Sequence, residues 1–559
     1  MHPYIPELEE LYRQGKITRR EFVRNAALLG LSLSGIAAFL ASCQPQPTAT
    51  PAPAPTQAPA QATPLPTAAP ATAVPASGPK RGGELRVSHA VQRLKDPAAA
   101  SWFEFNIYRN VAEYLTITDC DNVTRPWLLE KWEPAADLKT WTLYLRKGIK
   151  FNHGPELTAD DVIFNFKRWL DPNTGSSMQG LLGDYLSAND IERVDDYTVR
   201  LHLKAPQIGV PEHLFHYPAV ILPKDFEGDW IKQPYGTGPF TLEEYVVDER
   251  AVVKRREGYW RNGQDGQPLP YLDAIRFAYL GLDPAPSVAA LTSGEVDLTA
   301  VTPPLLDALK GASNIAIATQ VSSYTHVIRM RADKEPFSDV RVRNAIKACQ
   351  DRQRILEATM RNYGALGEDH HVAPIHPEYC PLGEIPKQDI EKAKKLLADA
   401  GYPNGIKVTL SCIDAEPNTT IAQLLKEQCA PAGITIELAM MPESMYWDQW
   451  MNVDFGITSW THRPLATMTL ALAYRTGVAW NETHWSNAEF DKLLTQAEGT
   501  LDIEARKKIM CQIEKLMQEE GPVAIPRWAA FLWGHTDKLK GFRGAPSDHL
   551  FLYDAWLDR

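Results

Sequence analysis

The chain has 559 residues, far more than one ordinary domain of roughly 100 to 200, so two or more lobes are expected. Its formal net charge of −11 is scattered rather than blocked, which argues against nucleic acid as a partner. None of its 7 cysteines forms a CxxC pair, which leaves no support for a zinc ribbon or a thioredoxin-type redox couple.

At the N-terminus Thr18-Arg19-Arg20-Glu21-Phe22-Val23-Arg24 precedes an uncharged apolar stretch over 25–42, in the order of an export signal. Arg19 and Arg20 with Phe22 resemble the twin-arginine export pattern, and Leu40-Ala41-Ser42-Cys43 resembles the lipobox of bacterial lipoproteins. Residues 1–43 are therefore expected to be a twin-arginine lipoprotein signal, with lipidated Cys43 holding the body outside the cytoplasm, in a periplasm or on the outer face of the cytoplasmic membrane. The competing reading is a permanent span, because the run approaches the roughly 20 residues a membrane requires. Gly30, Ser32, Ser34 and Gly35 make it weakly apolar, which favours cleavage. Residues 44–79 lack acidic and aromatic side chains and carry frequent proline, so they read as a disordered, polyproline-like spacer reaching up to roughly 100 Å.

The body alternates between strand and helix signals. Residues 83–88 and 141–146 alternate as strands, and Asp195-Asp196-Tyr197 turns into a strand over 198–203. Between them a helix is predicted over 157–169, with Thr158 as N-cap, Asp160 and Asp161 in its first turn, and Val162, Phe166 and Trp169 on one face. Further helices are predicted over 340–346, 389–400 (closed by Gly401) and 505–519, with Cys429 a small buried residue at the end of helical 421–428. The class is α/β without a fixed repeat. If Cys43 is lipidated, Cys120, Cys349, Cys380, Cys412, Cys429 and Cys511 remain, either as disulfides or as buried thiols.

Enzyme signatures are missing: no HExxH, GxSxG or GxxxxGK[ST] occurs, and the one SxxK match, Ser77 to Lys80, falls in the spacer. Glu368-Asp369-His370-His371 is the densest titratable run, but adjacent side chains diverge, so a solvated loop is expected rather than a metal site.

Eight collinear segments carry a family likeness: PWLLEKWEP (126–134), LRKGIKF (145–151), HGPELTADDV (153–162), YGTGPF (235–240), EGYW (257–260), LTSGEVDL (291–298), PFSDVRVR (336–343) and AKKLLADAGY (393–402). Together they resemble the extracytoplasmic solute-binding proteins of ABC importers for peptides, nickel complexes and opines. The resemblance implies a two-lobed periplasmic-binding-protein fold. Lobe I would comprise 80–322 and 525–559 with an inserted subdomain at about 116–225, and lobe II 323–524. Two crossing strands, near 322–330 and 522–533, would hinge the lobes around an enclosed ligand, and the loaded protein would dock on a membrane permease. Gly236, Gly238 and Pro239 then shape a turn near the cleft or serve folding alone.

In peptide-binding members of that family a lobe II tryptophan is followed three residues later by an aspartate that pairs with the peptide's α-ammonium group. Here Trp460 is followed by Thr461, His462 and Arg463, so the charge offered is reversed. Two readings stay open: Arg463 grips an anionic group on the solute, or it pairs with a protein carboxylate such as Asp454 or Glu482. The remaining ligand candidates are Trp480, Asn481, Tyr324, His326, Asp414 and Trp528, with Trp485 and Trp533 nearby; for each aromatic the alternative is core packing. The expected function is capture of a peptide-like or other small polar organic solute by a monomeric receptor that is no enzyme and needs no cofactor. An exported sensor, chaperone or hydrolase is the alternative. Nickel or haem is not the expected cargo, because no clustered His or Cys ligands are evident.

Overall fold

The computed structural model describes residues 78–100, 104–281, 283–309 and 311–559. The expected export signal, Cys43 and all but the end of the spacer lie outside the described residues. Among the described residues no helix is long and apolar enough to cross a membrane.

A mixed sheet of 12 strands runs through the body. At its middle the strands Ile315–Met330 and Arg527–Thr536 lie antiparallel, and they are long enough to serve both halves. On one side the sheet continues through Leu298–Ala300, Glu84–Ser88, Ala274–Ala278, Arg250–Arg255 and Phe240–Val246, which build lobe I. On the other it continues through Phe455–Trp460, Ile406–Ile413 and Ile434–Met441, which build lobe II. A separate four-stranded antiparallel sheet, Leu129–Pro134, Thr140–Leu145, Thr198–His202 and Ile191–Asp195, packs with the lobe I core.

The local signals have physical counterparts. In Thr140–Leu145 the side chains of Trp141, Leu143 and Leu145 alternate into the core, as period-2 patterning requires. Helix Ala159–Leu170 starts at Thr158, whose backbone N–H donates to Asp161 Oδ2 at 2.8 Å, and it buries Val162, Phe166 and Trp169. The other three predicted helices are Val340–Ala348, Ile390–Asp399 with Asp389 as N-cap, and Ile503–Glu520 with Asp502 as N-cap. Cys429 ends helix Asn418–Cys429 and is buried. Cys380 and Cys511 form a disulfide, and Cys120, Cys349, Cys412 and Cys429 are free thiols.

The segment Glu368-Asp369-His370-His371 corrects an expectation. It is buried throughout, not solvated. Asp369 pairs with Arg352 and accepts from Gln350 Nε2 and Ile525 N–H, Glu368 accepts from Tyr379 Oη at 2.9 Å, His370 Nε2 lies 3.3 Å from Glu368 and 3.6 Å from Glu514, and His371 Nδ1 meets Tyr474 Oη at 2.8 Å. Glu368 and His370 meet while Asp369 and His371 have partners elsewhere, and among the described residues no group of three or more His, Cys, Asp or Glu is placed to hold a metal.

Gly236 and Gly238 have a packing reason. Gly238 N–H donates to Val111 O at 2.8 Å, and a Cβ at position 236 would stand 2.0 Å from that same oxygen. Gly236→Ala is therefore expected to lower unfolding stability by at least about 2 kcal/mol, measured by urea denaturation. Ala at Gly258, where nothing lies within 4 Å but φ is 70°, tests strain without a clash and is expected to cost less.

Candidate functional site

The first crossing strand gains a second partner halfway. Residues 315–321 and Thr325 pair with Arg527–Thr536, with the register shifting between Val321 and Thr325, and residues 325–330 also pair with Phe455–Trp460 on the other edge. The shift releases three polar residues from regular pairing. Ser322 Oγ donates to Pro546 O at 2.6 Å, Tyr324 packs on Phe531 and His326, and Ser323 turns to His462.

His462 joins the hinge to lobe I. Its Nδ1 accepts the Ser323 backbone N–H at 3.3 Å and lies 2.8 Å from Ser323 Oγ, so the ring proton sits on Nε2. Nε2–H then donates to Asn122 Oδ1 at 3.1 Å. The Asn122 amide continues into lobe II, donating to Ile375 O at 3.2 Å and Pro464 O at 3.0 Å. Asn122 has φ 58°, a left-handed conformation that asparagine tolerates better than most residues.

Arg463 follows directly. Its backbone N–H donates to Ser323 Oγ at 3.2 Å, and its carbonyl accepts from His376 Nε2 at 3.0 Å; His376 Nδ1 accepts Ala373 N–H, which puts the His376 proton on Nε2. The peptide is thus clamped on both sides, but the guanidinium meets only neutral acceptors. Nη1 donates to Thr461 Oγ1 at 2.7 Å and His462 O at 3.1 Å, and the buried Nε has no partner. The two carboxylates expected as its alternative partners are occupied. Glu482 holds Arg329 at 3.1 Å and accepts from Thr458 at 2.7 Å, from the Trp460 indole at 2.9 Å and from the Trp450 indole, while Asp454 pairs with Lys334 at 2.8 Å.

The Arg463 charge is one of the causes that depress His213 and His216 of lobe I and His371 and His462 of lobe II. Burial is the main cause that pushes the histidines down, to about 3 for His213 and His371 and about 4 for His376, so all are neutral at pH 7. Burial also lowers the Arg463 pKa. His549 belongs to the same set, packed on Phe105 and Phe215 at 4.5 Å and depressed by burial and by Arg109.

The sequence-predicted residues divide among three settings. Trp460, His462 and Arg463 sit at the junction; Trp460 and Trp528 both contact the His371 ring, at 5.8 and 5.7 Å. Tyr324 and His326 stand on the crossing strand, His326 beside Arg527 at 3.3 Å. Trp480 is 46% exposed against Trp450 and Trp460, Asp414 is exposed at a strand end, and Asn481 spends its amide on Arg475 O and Trp485 O within its own loop. Trp485 and Trp533 pack in the cores. Sequence reasoning missed Asn122, His213, His216, Ser323, His371 and His376. Their only shared signal is residue type, since they are drawn together from opposite ends of the body.

The arrangement is a cleft between two lobes joined by a pair of crossing strands, with side chains of both lobes converging on one spot: the layout of a binding protein that closes over a solute. This chain belongs to the bacterial extracellular solute-binding proteins, family 5, whose model matches residues 123–482. Dipeptide-binding protein DppE of Bacillus subtilis is 25% identical over 494 residues, 82% of this chain and 88% of that protein. The periplasmic oligopeptide-binding protein OppA of Salmonella typhimurium is 25% identical over 464 residues, 75% of this chain and 82% of its own length. The structure of HbpA2 from Haemophilus parasuis superposes with a TM-score of 0.75 at 23% identity, covering 85% of this chain and all of that one.

Asn122→Ala removes three hydrogen bonds between the lobes while leaving the cores intact. It is expected to favour the open form by about 1–2 kcal/mol, seen as a larger radius of gyration by X-ray scattering and roughly 5–30-fold faster release of bound solute.

Proposed function

We propose that the protein is the lipid-anchored, monomeric receptor of an ABC importer. It captures a peptide-like or other small polar organic solute through an anionic group and hands it to a membrane permease. The observation that carries the specificity is the Arg463 guanidinium, clamped by its backbone, partly desolvated and without a carboxylate. A buried unpaired cation is costly, and an anionic solute group arriving on closure removes the cost. The names of the relatives give dipeptides and oligopeptides as their cargo, but a cation in this place repels an α-ammonium group.

In this reading lobe I is 80–322 with 525–559, carrying the inserted subdomain of about 116–225, and lobe II is 323–524. Trp460, His462, Trp528, Tyr324 and His326 form the walls around Arg463, while Trp480, Asn481 and Asp414 belong to the rim. Support for the anchor comes from the Arg19-Arg20 and Leu40-Ala41-Ser42-Cys43 motifs.

Mass spectrometry of the solute that copurifies with natively produced protein identifies the cargo, and calorimetry with that solute tests the site. Arg463→Asp is expected to weaken binding at least about 100-fold. Unchanged affinity would remove Arg463 from the site, and a copurified peptide with its free amino group against Arg463 would overturn the anionic reading. For the anchor, Cys43→Ser is expected to move the exported protein from the membrane to the soluble fraction, read by immunoblot after fractionation.

A further inference from the structure

We propose that the solute carries, besides the anionic group at Arg463, a methylated ammonium group, and that an indole-walled face of lobe II formed by Trp447, Trp450 and Trp480 receives it. This rests on the reading of the cleft above and adds a second recognition site to it.

Ring contacts place the walls. Trp460, which stands at the junction, meets Trp480 with ring centroids 6.2 Å apart and planes at 65°. Trp480 meets Trp450 at 6.3 Å and 73°, and Trp450 meets Trp447 at 5.6 Å and 75°. Each ring is set steeply to the next, so the run forms corners rather than a flat stack. Trp447 and Trp480 remain 39% and 46% exposed. Large apolar side chains left together in solvent mark a contact surface, and this one continues from the junction without a break.

Carboxylates hold the walls and set their charge. Trp450 and Trp460 both donate their indole N–H to Glu482, and Trp447 donates to Glu443 Oε1 at 3.3 Å. An acceptor at the N–H edge pushes electron density into the ring, which strengthens the attraction of its face for a cation. The segment 434–460 contains Glu437, Glu443, Asp448 and Asp454 but no Lys, Arg or His. Lys407 pairs with Glu437 and Lys334 with Asp454, whereas Glu443 and Asp448 are exposed and have no cationic partner among the described residues. Arg329, whose guanidinium donates to Trp450 O at 2.6 Å, is balanced by Glu482, and His484, on the loop of Trp480, lies 3.8 Å from Asp333. The surplus charge beside the indoles is therefore negative, opposite to that at Arg463.

The walls also narrow the kind of cation. Their N–H edges are engaged, and what the rings offer is their faces, which replace little of the hydration a primary ammonium gives up. A methylated ammonium spreads its charge over methyl groups, holds water weakly and packs on indole faces.

Choline and 3,3-dimethyl-1-butanol share one shape, with a quaternary nitrogen in the first and a carbon in the second, and neither has an anionic group. In ligand-observed NMR titrations on the full chain, dialysed free of copurified solute, choline is expected to bind at least about tenfold more tightly than the butanol. Trp447→Ala and Trp480→Ala, checked for native fold by circular dichroism, are each expected to weaken choline at least about fivefold, and Trp447→Phe to stay within about threefold of wild type. Equal affinity for the two probes, no binding of either, choline affinity unmoved by both alanine variants, or a copurified solute without a cationic nitrogen would each overturn the proposal. Arg463→Gln is expected to leave choline affinity unchanged, because choline offers that residue nothing. Failure with choline while Arg463→Asp weakens the copurified solute defeats this inference alone; choline binding as expected while Arg463→Asp changes nothing defeats the Arg463 reading alone.

Discussion

The junction depends on an interruption in one ladder of the strand Ile315–Met330. On one edge the strand pairs with Arg527–Thr536 up to Val321 and again at Thr325, then with Val523–Ala524 at Ile328 and Arg329, while on the other edge residues 325–330 pair with Phe455–Trp460; the interruption lies between Val321 and Thr325. Residues at such a break carry backbone groups and hydroxyls that need other partners. Ser322 finds Pro546 O in lobe I and Ser323 finds His462 and Arg463 in lobe II. The crossing strand and the segment from His462 to Arg463 are therefore one hydrogen-bonded unit.

Buried charges elsewhere in lobe II show what ordinary compensation looks like here. Arg329 is paired with Glu482 and Arg352 with Asp369. Lys347, pulled down to about 7 by burial, donates to Met517 O and Gln518 O near the end of helix Ile503–Glu520, where the carbonyls carry partial negative charge. Arg463 has neither kind of partner. Arg527 is the nearest parallel: fully buried on the second crossing strand, lowered to about 10 by burial, it donates to Thr359 Oγ1 and lies against His326. Arg463 and Arg527 thus bring two guanidiniums that meet only neutral side chains and carbonyls to the crossing between the lobes.

Much of the scaffold was legible because it is local. Thr158 with Asp161, and Asp389 with Gly401, announce helix ends within a few residues, and the collinear segments place the crossings. The Trp460 to Arg463 segment was legible as well, since a reversed charge at one position is visible in sequence. The contacts around that segment were not. Asn122 lies 340 residues from His462 in sequence, and nothing near Asn122 signals that its amide bridges lobes. The acidic and basic run at 368–371 misled for the same reason: its neutralising partners, Arg352, Glu514 and Tyr474, come from other elements, so the run looks solvated when read alone.

The contacts between the lobes also explain why closure remains reversible. Asn122 reaches lobe II through a neutral imidazole and two backbone carbonyls, and Ile208 N–H donates to Glu498 O at 3.2 Å. Each such bond exchanges for a bond to water at a net of about 1 kcal/mol, so the latch holds lightly. A buried ion pair in its place would cost several kcal/mol to break, and the lobes would stay shut whether or not a solute was present. With a weak neutral latch the open and closed forms stay within a few kcal/mol of each other. In the proposed reading, a solute that bridges Arg463 to lobe I supplies the difference that shifts the population, because only a ligand with unequal affinity for the two forms can do so.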